Sequence, residues 1–169
     1  MRPCIATFSI SVVAVLCVGC PTDPDPGETD AGPRPDGAAG GHIEIGTGAV
    51  VFAPMADGAP WELVAGPQGG WHLEVSVALY GLEPEGLDLS YEIRTESGAV
   101  LTMPLTYALT RRRVLEEPGR FVRLGDRAIF DIGAPEEVVG LGVVVEASAL
   151  TPEGIVHTDA RRATVVDEE

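Results

Sequence analysis

From His42 onward, apolar and polar residues alternate in run after run, and this period of two restricts the chain to a β architecture. In Trp71-His72-Leu73-Glu74-Val75-Ser76-Val77-Ala78-Leu79-Tyr80, one face collects Trp71, Leu73, Val75, Val77 and Leu79, and the opposite face is mixed and expected to be wetter. Leu87, Leu89, Tyr91 and Ile93 form a second stripe, with Asp88, Ser90, Glu92 and Arg94 between them, and Ser97-Gly98 turns the chain into Ala99 to Leu109 as a hairpin. Arg127 to Ile132 reads as a short strand and Val139 to Leu150 as a long one, returning through the turn Thr151-Pro152-Glu153-Gly154 into Ile155 to Val166. With Ile43 to Phe52 and Trp61 to Val64, this gives seven to nine strands in residues 42–169. No segment shows a helical period, although Ala134-Pro135-Glu136-Glu137-Val138 suits a single turn with Pro at its start.

Hydrophobic residues make up 45% of the 169-residue chain and aromatics only 5%, so one domain is expected with a core built mainly from Val, Leu, Ile and Ala. The net charge is -15, and all basic residues are Arg. Such acidity repels polyanions and sets nucleic acid aside as a partner. Cys4, Cys17 and Cys20 all precede the alternating region, which therefore has no disulfide framework.

Arg2 followed by the apolar stretch Ile5 to Val18 has the form of an export signal, too short to span a bilayer. The stretch Leu16-Cys17-Val18-Gly19-Cys20 resembles a bacterial lipobox, with Cys17 standing where that motif usually has Leu. The resemblance implies that residues 1–19 are a lipoprotein signal peptide and that Cys20 is lipidated and anchors the chain to a membrane. Residues 20–41 then form a tether whose Pro, Gly and acidic residues are expected to be disordered. Its carboxylates lack the glycine turn and terminal Glu of a calcium loop, so a solvated linker is the reading preferred over a cation site. Pro21 differs from the Asp that commonly retains such proteins in the inner membrane, so the expected location is the cell envelope, on the outer membrane rather than the inner.

The closing run VVVEASALTPEGIVHTDARRATVV resembles immunoglobulin-like modules of bacterial surface proteins. That resemblance implies an all-β fold, a single immunoglobulin-like antiparallel β-sandwich over residues 42–169. Gly66-Pro67-Gln68-Gly69-Gly70-Trp71-His72 is similar to a motif in uncharacterised lipoproteins of Gram-negative bacteria, a family with no activity to carry over. As chemistry, Gln68, Gly69, Gly70 and His72 are candidate ligand or partner contacts, and the bland alternative is a structural corner. His42, His72 and His157 show no metal-binding spacing, and neither a metal nor a cofactor is expected.

No Gly-x-Ser-x-Gly elbow is present, and the abundant carboxylates show no paired arrangement, so the chain is not expected to be an enzyme. Arg111, Arg112, Arg113, Arg120, Arg123 and Arg127 concentrate positive charge in an acidic domain. Arg111, Arg112 and Arg113 are candidate contacts for an anionic partner, against the reading that they balance nearby Glu. The expectation is an envelope lipoprotein whose domain binds an envelope protein or a surface glycan. The alternative is a periplasmic small-ligand or metal carrier using the Gly66 to His72 loop.

Overall fold

The computed structural model describes residues 40–67 and 69–167; Cys20, the segment before it, most of the tether, Gln68 and the last two residues lie outside that description. The described chain is all-β. Its strands are β1 (His42–Thr47), β2 (Ala53–Pro54), β3 (Ala59–Ala65), β4 (Trp71–Tyr80), β5 (Asp88–Thr95), β6 (Thr106–Ala108), β7 (Leu115–Glu117), β8 (Arg120–Ile129), β9 (Gly142–Leu150) and β10 (Val156–Asp167). Two single 3-10 turns, Arg111–Arg113 and Pro135–Glu137, complete it, the second with Pro135 at its start as the sequence suggests.

The strands form one ten-stranded sheet that curls at β3. On one side β4 pairs with β1 and β8, and β2 and β7 extend those neighbours. On the other, β10, β9, β5 and β6 pair in that order. β3 belongs to both sides: Ala59–Leu63 pair with Ala163–Asp167, and Val64 and Ala65 pair with His72 and Trp71. Because the sheet curls, Leu73, Val75, Val77 and Leu79 from β4 share one core with Leu89, Tyr91 and Ile93 from β5 and with Val143, Val145, Ala147 and Ala149 from β9.

The β3–β10 pairing is parallel, which corrects the expectation of a purely antiparallel arrangement. Alternation determines which side chains turn inward, here Trp61 and Leu63 against Ala163 and Val165, but it is the same for either strand direction. Ten strands replace the expected seven to nine, because the run read as Ile43 to Phe52 ends at Thr47, reverses and adds the two-residue β2, and because the three-residue β7 was not read as a strand. That reversal folds Phe52 over the outer face of β4, where it packs with Ala78 and Val122, so the face expected to be wet is covered. The closing hairpin stands as read, with Val156 opposite Leu150 and the Thr151 amide bonded to the Ile155 carbonyl. The hairpin after Ser97-Gly98 is interrupted: Arg94 bridges Val100, Thr102 leaves to bridge Phe130, and the chain rejoins β5 only at β6.

The β8 strand begins at Arg120, not at Arg127 as its sequence suggests, and contains a bulge. Val75 lies opposite Asp126 and Val77 opposite Arg123, so three steps along β8 match two along β4. The extra residue sits at Leu124-Gly125, where Gly125 has φ of 63° and its amide donates to Ser76 Oγ, 3.0 Å away. Ser76 in turn donates to the Gly48 carbonyl and ties down the segment that carries Phe52. A Cβ at Gly125 would meet only Ala49 Cα, at 3.9 Å, so the cost of a side chain there is backbone strain rather than collision. Gly125→Val is therefore expected to lower stability by about 1 to 2 kcal/mol, read as a fall in the urea midpoint at unchanged slope.

Candidate functional site

The bulge has a chemical consequence. Residues three apart on a regular strand face opposite sides, but the extra residue returns Arg123 and Asp126 to the same inner side. Asp126 is buried, and its carboxylate accepts from Arg123 through Nε at 2.8 Å and through Nη2, and from the Tyr91 hydroxyl at 2.9 Å. Arg123 also donates to the Arg113 carbonyl at 2.9 Å. Tyr91 lies on β5, so this contact joins the two sides of the curled sheet through its core. Burial, then the charge of Asp126 and the bond to it, push the Tyr91 hydroxyl well above the usual tyrosine range. Tyr107 packs edge-on against Tyr91, and its hydroxyl donates to the Arg127 carbonyl at 2.8 Å, giving a second link between the sides.

The arginine stretch is met by acidic residues both within it and from the loop before β5. Arg111 donates to Glu83 at 2.8 and 2.5 Å and lies over the Phe121 ring, while its amide donates to Glu85. The Arg111 guanidinium holds the Glu83 carboxyl below its usual range. Arg120 pairs with Glu117 at 2.7 Å, donates to the Tyr80 hydroxyl and stacks over Phe52. Arg113 donates to the Ala108 carbonyl, whereas Arg112 is exposed and its side chain has no hydrogen bond or ion pair among the described residues. An open groove of about 440 Å³ runs beside them, lined by Glu83, Glu116, Glu117, Arg120 and Phe121. An anion entering it would have to displace Glu83 or Glu117 from its arginine.

The glycine-rich loop is a compact reversal: the Gly66 amide bonds to the Gly70 carbonyl and the Gly69 amide to the Gly66 carbonyl. Gly69 and Gly70 have φ of 87° and 81°, the conformation that favours glycine and turns the chain into β4. Gln68 lies outside the described residues. His72 is buried, paired across the sheet with Val64 and Ile129, and its Nε2 has no hydrogen-bond partner among the described residues. Burial holds the imidazole below its usual range, Arg127 adds to that and Glu74 opposes it.

The three histidines are not brought together. His42 stacks on Tyr80 at the far end of β4, about 26 Å along the strand from His72 at the usual rise per residue, and His157 pairs with Ala149 on β10. Among the described residues no group of three or more His, Cys, Asp or Glu is arranged to hold a metal ion. Sequence reading singled out neither Tyr91 nor Asp126, and the one local signal was Gly125 inside a strand pattern.

Tyr91→Phe leaves a buried carboxylate without one donor and is expected to cost about 2 to 3 kcal/mol, against about 1 kcal/mol for the more exposed Tyr107→Phe. Urea unfolding of the two variants measures both. Because folding disfavours protonated His72, its contribution is complete above its ordinary pKa of about 6.5 and is lost as pH falls below that value. Melting temperature should therefore fall less between about pH 7.5 and pH 5 in His72→Leu than in the unsubstituted protein.

Comparison of the chain with protein-family models and with curated proteins finds no match.

Proposed function

We propose that the protein is an envelope lipoprotein, anchored through lipid on Cys20, whose domain is an immunoglobulin-like sandwich acting as a non-enzymatic interaction module for an envelope protein or surface glycan. Strand order carries this reading. In an immunoglobulin-like sandwich one sheet runs A, B, E, D and the other C, F, G. Taking β1 as A, β4 as B, β8 as E and β7 as D reproduces the first order, and β5, β9 and β10 reproduce the second. On this reading β3 continues strand A across to strand G, which accounts for the parallel pair, and β6 is an added strand beside C.

Further support comes from how the interior polar groups are used. Asp126, Arg123 and Tyr91 satisfy one another, and Ser76 and Thr102 bond to backbone, so these groups hold strands together. The outer membrane is favoured by Pro21 following Cys20.

The decisive experiment compares intact mass and membrane partitioning of the full chain with those of Cys20→Ser in a Gram-negative host. A mature mass beginning at lipidated Cys20, and release of the variant from membranes, are expected. A soluble, unlipidated wild type would overturn the anchor and favour a freely diffusing carrier.

A further inference from the structure

The outer face of β5, β9 and β10 is composed of straight cross-strand rows. Val156, Leu150 and Asp88 form one; Thr158, Ser148 and Ser90 the next; then Ala160, Glu146 and Glu92; then Arg162, Val144 and Arg94; then Thr164 and Gly142. Along β10, Val156, Thr158, Ala160, Arg162 and Thr164 are all exposed. Small side chains dominate, so another flat surface can approach to about the 10 Å at which sheets pack face to face.

Apart from Asp88 at one end, charge on the outer face of β5, β9 and β10 is confined to two adjacent rows of opposite sign. Glu92 and Glu146 lie directly across from each other, a repulsive placement. Arg94, from the next row, relieves it by pairing with Glu92 at 3.2 Å and Glu146 at 2.5 Å. Arg162 shares the row of Arg94, and its side chain has no hydrogen bond or ion pair among the described residues. An acidic row therefore abuts a basic row of equal formal charge, with Arg162 available to a group outside the chain.

We infer that this face is where two copies of the chain pair. A two-fold axis lying in the face and running across the strands, between the Ala160 and Arg162 rows, sets the acidic row of each copy against the basic row of the other. The same operation puts Glu92 opposite the partner's Arg94, Thr158 opposite the partner's Thr164 and Val156 opposite the partner's Val166. Exposed Val156 thereby gains an apolar counterpart without any further arrangement. With β3 and β6 beside them, β5, β9 and β10 make a face of roughly 600 Å² at about 4.8 Å between strands and 3.3 Å per residue. That is at the lower end of the roughly 600 to 1,000 Å² each partner contributes to a standard interface. The inference holds whether or not Cys20 carries lipid, because it uses only the face.

Site-specific photo-cross-linking in cells making the full chain tests it. With benzoylphenylalanine in place of Thr158, a cross-linked species of twice the chain mass is expected, its joined peptide coming from β9 or β10 of the second copy. The same probe in place of Arg127, on the opposite outer face, should give none. Arg162→Glu should reduce the product about fivefold, since symmetry makes each substitution act twice. Adding Ala160→Arg to that variant should restore the product by placing a cation opposite the new carboxylate. A product from position 127 equal to that from 158, indifference to Arg162→Glu, failure of the second change to restore it, capture of a different protein, or no product would each overturn the inference.

Discussion

The fold depends on a charged carboxylate held in its interior. Desolvating Asp126 is costly, and the cost is offset only because Arg123 supplies a guanidinium and Tyr91 a hydroxyl, in positions fixed by different strands. Such a group tolerates few alternative packings. A shift of β8 by one residue would send the carboxylate to the outer face, and a shift of β5 would withdraw the hydroxyl. The network thereby fixes the register of the two sides of the curled sheet, which Val, Leu and Ala contacts alone would specify less sharply.

The Gly125 bulge connects that interior to the outer face. Its extra residue turns Arg123 and Asp126 inward, while its amide engages Ser76, which holds Gly48 and thereby the segment carrying Phe52. Inner network and outer cover thus depend on one backbone irregularity. The side of β1 away from β4 is managed separately: Asp159 accepts from the Ile45 amide, and Arg161 donates to the Met55 carbonyl. Side chains there occupy positions a further strand would need.

Much of this architecture is legible in the sequence. Strands β4, β5, β9 and β10, and the turn at Thr151–Gly154, follow from alternation and turn chemistry, because each buries one face and each turn falls where Gly or Pro allows it. The β8 bulge is hidden for a specific reason. Val122 packs outward beneath Phe52, whereas Asp126 and Ala128 face inward although all occupy even positions, so no single alternation runs through the segment and only its end, from Arg127, reads as a strand. The arginines' partners were legible only where they are near in sequence, as Glu117 is to Arg120; Glu83 lies in a loop far from Arg111 along the chain. The glycine-rich corner was legible as a turn, but the burial of His72 depends on neighbours that no local pattern names.

The parallel pairing of β3 with β10 also governs how the molecule is made. Ala59 lies opposite Ala163, 104 positions later, so the strand that joins the two sides of the sheet must wait for β10 to emerge. Contacts this distant raise the entropy cost of closing the chain and slow its folding. A chain cut short before β10 would leave both β3 and β9 with unsatisfied edges, and such edges recruit other chains. Translation must therefore reach β10 before β3 and β9 can bury their own hydrogen-bonding groups.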